Sequence, residues 1–253
     1  MSNYMTNQER TEEYLENFNR EKTLKLLINK KNPIIFDVGA NIGTSLDEFK
    51  EWWPDSSVHC FEPQKECWES LDKKSTQYSN SYINKYAVGN NHNKLTTFYS
   101  HDISSGISGF NRVNLNSRDS LYLDEVKKSN SKSLEQYEDS LNHERVVEIN
   151  RLDEYIKSKK IKEVNLLKID TQGYEPEVLD GLGNYLKNVE VVITELMFYD
   201  YYERSLSFYD VERFLIPAGF QLYDINHISK NPMNGRTDWV DAIYINTKID
   251  HYE

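Results

Sequence analysis

Apolar and polar positions alternate along the chain in two periods. From Thr6 to Lys31 the apolar residues Tyr14, Leu15, Phe18, Leu24, Leu27 and Ile28 fall near helical spacing, which predicts one amphipathic helix stopped by Pro33. A short apolar run follows at Ile34–Val38, then a glycine turn and a helix to about Trp53, closed by Pro54. The same alternation predicts strands at Ser57–Phe61, Tyr82–Val88, Leu95–Tyr99, Val146–Ile149, Val164–Ile169 and Val189–Leu196. It predicts helices at Lys65–Ser75, Leu152–Ser158, Glu175–Leu182 and Phe208–Ile216, the last ending at Pro217. Two final strands, Phe220–Ile225 and Trp239–Ile245, have no helix between them and read as an antiparallel hairpin.

Strands alternating with helices imply βαβ crossovers and a mostly parallel, doubly wound α/β sheet. Runs such as Val189–Ile193 suit a sheet covered on both faces. Residues 1–32 read as an N-terminal helical extension and 33–253 as one catalytic-size domain, with a polar insertion at about 111–145.

Composition changes the picture mainly by exclusion. A net charge of −11 disfavours nucleic acid or an anionic membrane surface as partner. Cys60 and Cys67 form no disulfide or zinc pattern. The polar first 20 residues lack the apolar core of a signal peptide, and no apolar run is long enough to span a bilayer. A cytoplasmic protein is the expectation.

Three motifs carry chemistry. In Asp37-Val38-Gly39-Ala40-Asn41-Ile42-Gly43 a strand runs into a glycine turn and a helix start. Gly39 admits a ligand close to the backbone, and the helix start aims free N–H groups at it. Asn41 stands where a dinucleotide fingerprint needs its second glycine, so the turn suits a nucleoside without phosphates. The Asp37 carboxylate suits an amino-acid ammonium. Phe61-Glu62-Pro63 ends the next strand, and Glu62 lies at the distance from the glycines expected of a ribose-binding acid. Asp170, in Leu166–Glu175, ends a buried strand ahead of the Gly173 turn. In open α/β sheets ligands bind outside the carboxyl ends of the strands, which is where all three acids fall.

Together, D-V-G-A-N-x-G, F-E-P and L-L-K-I-D-x-x-G-x-E followed by V-L-D-G resemble the FkbM family of S-adenosylmethionine-dependent methyltransferases, over about Ile34 to Ile245 with 111–145 unmatched. The resemblance implies the Rossmann-like class I methyltransferase fold, a seven-stranded sheet with a reversed final hairpin. It also implies S-adenosyl-L-methionine as cofactor and methyl transfer to oxygen, with a sugar, glycoconjugate or related hydroxylated product as acceptor. Carried over, Asp37, Gly39 and Asn41 border the methionine part, Glu62 and Pro63 the ribose, Ala87 and Val88 the adenine, and Asp170 the methyl. Gln172 departs from the family, which commonly has Glu there. A base or metal-ligand role at that position is thereby put in doubt, and a hydrogen-bonding role is kept.

Asp170, Glu195 and His227 are the candidate general bases, with His101 as a further contact. No tight ligand motif supports an Asp170–Glu195–His227 metal site. The aromatic run Phe198–Tyr202 reads as an acceptor platform, as core or as a dimer contact, so association of copies stays open. Two rival readings remain: a nucleotide-cofactor oxidoreductase, which Asn41 opposes, and a silent cofactor-binding module, towards which only Gln172 points.

Overall fold

A computed structural model describes residues 5–102, 104–117, 134–232 and 234–249. Its centre is the expected seven-stranded sheet. β1 (Ile34–Val38) pairs in parallel with β2 (Ser57–Phe61) and with β7 (Val164–Ile169). β3 (Ser81–Asn84) extends the sheet beyond β2, and β8 (Val189–Met197) extends it beyond β7, again in parallel. β9 (Phe220–Lys230) and β10 (Thr237–Asn246) close it as an antiparallel hairpin, β10 lying against β8. The order is β3-β2-β1-β7-β8-β10-β9.

Successive strand residues point to opposite faces, which builds two cores. Phe36, Val38, Leu167, Ile169 and Val192 face α6 (Leu152–Lys159), α7 (Glu175–Leu182) and α8 (Phe208–Ala218). Ile35, Val58, Leu166, Val191 and Ile193 face α2 (Arg20–Leu27) and α3 (Thr44–Trp52), with Leu71 of α4 (Lys65–Ser75). Because both faces are covered, all six residues of β7 are buried, the polar Asn165 and Lys168 included.

Four sequence expectations are corrected. The N-terminal helix is two helices, α1 (Asn7–Asn17) and α2, because Phe18 and Asn19 are extended and the Asn19 side chain accepts the Lys22 N–H to cap the second. Helix α1 buries none of its residues, whereas Leu24 and Leu27 of α2 lie in the core. The strand expected over Tyr82–Val88 splits at Lys85–Tyr86. Its second half, β4 (Ala87–Val88), leaves the main sheet and pairs with β6 (His143–Asn150), which also pairs with β5 (Lys94–Ser100) in a separate three-stranded sheet. Helix α8 carries Pro217 inside its last turn and stops at Gly219, whose φ of +108° ends it.

The fourth correction concerns the polar stretch 111–145. It contains α5 (Leu134–Glu138), its last residues belong to β6, and Val113, Tyr137 and Leu141 pack with Tyr201 and Tyr202 into a third, smaller core. The aromatic run after β8 is thus partly core. Residues 118–133 of the stretch lie outside the described residues. Among the described residues, no helix is long and apolar enough to cross a membrane.

Candidate active site

The carboxyl ends of β1, β2 and β7 open on a cleft holding about 630 Å³ of open space, mouth included. Gly39, Asn41, Glu62, Pro63, Ala87, Val88 and Asp170 all line it. Asp37, Glu195 and His227 do not.

Gly39 and Asn41 have φ of +83° and +48°, so the turn after β1 is left-handed at two positions, and Gly43 caps α3 in the same region. A Cβ at Gly39 would stand 1.9 Å from the Asp170 carbonyl oxygen, so only glycine lets β1 and β7 end this close together. The Glu62 carboxylate accepts the backbone N–H groups of Asn41 and Gln64, each at 2.8 Å, which ties the first motif to the second. Burial pushes the Glu62 carboxyl up to about 7, although both N–H groups favour its charged form.

Asp37 is fully buried and turns to the α2 side of the sheet. Its two oxygens carry no hydrogen bond, and the Lys168 ammonium lies 3.4 Å from Oδ1. Burial raises the Asp37 pKa, with Lys168 opposing that shift. The same ammonium lies 3.3 Å from Asp170 Oδ2. Burial opposes the Lys168 charge, but Asp170 and Asp37 more than offset it, so its proton is held more firmly than usual.

Gln172 stands between the two candidate carboxyl bases. Its Nε2 donates to Asp170 Oδ1 and to Glu195 Oε2, both at 2.8 Å. On its other side, Tyr202 Oη lies 2.8 Å from both the Gln172 Oε1 and the Ile107 carbonyl. The amide thus joins two acids without adding a third charge. Glu195 is raised well above the usual carboxyl range, first by burial, then by Asp170, Glu175 and Asp241. Asp170, by contrast, has its side chain about one-third exposed and faces the cleft.

His227 lies elsewhere than expected. It sits inside β9 with φ of +43°, at a register slip where Asn226 pairs with Asp241 but Ser229 with Trp239. That bulge turns its ring to Asp241, with Nδ1 3.0 Å from Oδ2. His101 is buried behind the cleft, where its Nδ1 accepts the Asn142 N–H and burial lowers its pKa to about 4. Among the described residues, no group of three or more His, Cys, Asp or Glu side chains is placed to hold a metal ion. Gln172 holds Asp170 and Glu195 together, whereas His227 bonds Asp241 and does not line the cleft.

The sequence motifs leave out one wall. Ser104–Phe110 crosses the cleft as a strap, contributing Ser105, Gly106, Ser108 and Phe110. Ser105 Oγ donates to Asn41 Oδ1 at 2.9 Å, and Gln64 Nε2 donates to the Ser105 carbonyl at 3.1 Å. Asn111 Nδ2 ties the strap's end to the Gln172 carbonyl at 3.0 Å. Phe98 and Phe110 meet edge to face, 5.3 Å apart, and complete an apolar wall beside Ala87 and Val88. The strap has no periodicity, and its only sequence signal is the Ser104-Ser105-Gly106 run.

The methyltransferase FkbM domain matches residues 37–222. "Methyltransferase 1" of Beauveria bassiana (strain ARSEF 2860) is 27% identical over 169 residues, covering 64% of this chain and 64% of that relative's own length. Among solved structures, precorrin-6y C5,15-methyltransferase from Geobacter metallireducens GS-15 superposes with a TM-score of 0.43 at 10% identity, over 89% of this chain and 84% of the other. TrmK of M. capricolum in complex with S-adenosyl-homocysteine does so with a TM-score of 0.44 at 10% identity, over 94% and 73%.

Proposed function

Since the chain belongs to the methyltransferase FkbM family, we propose that it transfers the methyl group of S-adenosyl-L-methionine to a hydroxyl of a sugar, glycoconjugate or related natural product. The observation that carries this reading is the convergence of Gly39, Asn41, Glu62 and Asp170 on one cleft walled by Ala87, Val88, Phe98 and Phe110.

The residues fit the cofactor. Gly39, whose missing side chain lets the Asp170 carbonyl approach, brings the turn after β1 and Asp170 together in the wall of the cleft. The Glu62 carboxylate, with spare lone pairs beside its two backbone bonds, suits ribose hydroxyls. The apolar wall suits an adenine ring. When bound, the cofactor supplies a methyl group already activated on a sulfonium. The chain's own task is then to hold the acceptor in line and take its proton.

Asp170 faces the cleft and is the base in this reading; the acceptor hydroxyl donates its proton to Oδ1 or Oδ2. Gln172 fixes the Asp170 carboxylate, and Lys168 steadies its charge. Glu195, whose carboxyl pKa burial raises, bonds Gln172 and acts on Asp170 through it rather than at the acceptor. A net charge of −11 favours a neutral hydroxylated acceptor over a nucleic acid.

Isothermal calorimetry with S-adenosyl-L-methionine tests the cofactor. Release of S-adenosyl-L-homocysteine in the presence of a panel of sugars and glycosides tests the acceptor class. A folded protein that binds NADH but not S-adenosyl-L-methionine would overturn the proposal.

A further inference from the structure

The two ends of the seven-stranded sheet are unlike each other. β3 closes one end with 4 residues, and β9 closes the other with 11. Among the described residues, β9 pairs with β10 alone. A long edge strand invites pairing with another chain, and native proteins usually shorten, charge or cover it. On β9, Leu222, Ile225 and Ile228 are exposed instead. Residues directly opposite in an antiparallel pair share a face. Leu222 and Ile225 stand opposite Tyr244 and Ala242, so they continue the core face under α8 out into solvent.

The other face carries a second apolar stripe. Asp224 stands opposite Ile243, on the α2 side, and accepts the Tyr14 hydroxyl at 3.3 Å, which brings α1 to the same edge. A helix of 11 residues is marginal by itself, yet α1 buries none of its residues. Tyr14 and Phe18 stack 5.8 Å apart, and both are exposed. By helical spacing the acids of α1, Glu9, Glu12, Glu13 and Glu16, fall on its opposite side. These acids repel an anionic membrane, where surface helices carry Lys and Arg. A ligand lying on one face of the sheet covers one stripe, whereas a second sheet edge covers both.

The chain's own β9 is such an edge and is complementary to itself. A two-fold axis at Ile225 sets Asp224 opposite Asn226 of the other copy and Leu222 near Ile228, so no like charges meet. The register slips of β9 fall on either side of Asp224–Asn226 and leave that central piece regular. With 11 residues each, α1 and β9 supply the ~20–30 residues a side of a standard interface. We infer that two copies of this chain join edge to edge through β9, with the Tyr14–Phe18 face of each α1 packed across the seam. Neither element lines the cleft, so the contact leaves both clefts clear and stands apart from the cofactor reading.

Sedimentation equilibrium of the full chain at ~100 µM tests this, a concentration above the micromolar-to-picomolar range that interfaces of this size span. It should return twice the mass of one chain. Ile225→Lys places two like charges at the axis and should return the mass of one chain, with an unchanged circular dichroism spectrum. Leu95→Lys, at an exposed position of the second sheet, should stay a dimer. A wild-type monomer overturns the inference, whether or not it sediments with phosphatidylcholine vesicles. So does a dimer that Ile225→Lys leaves intact, or one that Leu95→Lys dissolves equally. Should Ile225→Lys not fold, Ile225→Cys keeps a small apolar side chain at the axis. Facing Cα atoms of antiparallel strands lie ~4.5–5.5 Å apart, within disulfide reach. Oxidation should then link two copies, with Cys60 and Cys67 buried and giving no background. Tyr82→Cys, on the opposite edge strand β3, should not link. A folded Ile225→Cys chain that fails to cross-link overturns the inference as well.

Discussion

Replacing Gly39 with alanine places a methyl group where β1 and β7 come closest. Its Cβ would lie 1.9 Å from the Asp170 carbonyl oxygen, a backbone atom that no rotamer change can move. Residue 39 also keeps φ at +83°, where an L-residue is strained by ~1–2 kcal/mol. Relieving the overlap requires the strand ends to part, an overpacking cost of ~1–3 kcal/mol. The sum is about 2–5 kcal/mol, which for a chain of this size lowers Tm by about 4–20 °C. Gly235→Ala separates the two contributions, because Gly235 has φ of +74° and nothing within 4 Å of an added Cβ. It should lose only the backbone share. Urea denaturation of both variants measures the difference, and calorimetry with S-adenosyl-L-homocysteine shows whether the displaced Asp170 weakens the cleft. The reasoning is refuted if Gly39→Ala costs no more than Gly235→Ala.

Further outcomes follow from the same geometry. Glu62→Ala should weaken S-adenosyl-L-homocysteine binding by ~1.5–3 kcal/mol in calorimetry, the range for a charged hydrogen bond; unchanged affinity removes Glu62 from the site. Burial pushes the Glu175 carboxyl from 4.5 up to about 7, so its contribution to stability is complete below pH 4.5 and is lost as pH rises through 7. The loss is on the order of 3 kcal/mol at most. His59 and His101, both lowered to about 4 by burial, act in the opposite sense below 6.5, so the comparison is wild type against Glu175→Gln. The wild-type urea midpoint should fall relative to that of Glu175→Gln between about pH 5 and pH 8, and a constant difference contradicts the assignment. Leu24→Ala, at a fully buried site, should cost ~2–5 kcal/mol. Leu15→Ala, at a position 70% exposed on α1, should stay within ~0.5 kcal/mol in the same melts.

Sequence alone determined the layer architecture, because hydrophobic period is a local property. The short apolar run at Ile34–Val38 and the near-continuous one at Val189–Ile193, broken only by Glu190, each need only a few residues to show a strand covered on both faces. The glycine turn after Asp37, and the acids at 62 and 170, were legible for the same reason: turn chemistry and strand ends are read in windows of about ten residues. The helix break at Asn19 was also written locally, in a capping asparagine, but the continuing apolar spacing masked it.

Only the tertiary structure decided which of these pieces meet. The split at Lys85 sends Ala87 and Val88 to a second sheet, where they wall the cleft through pairing with residues some sixty positions away. The strap reaches Asn41 through Ser105, and Gln172 joins Asp170 to Glu195 across two strands. A bulge in β9 turns His227 towards Asp241. Hydrogen bonds and desolvation act between side chains that chain order separates widely. Their charge states and partners therefore arise only when the sheet has assembled and excluded water from between them.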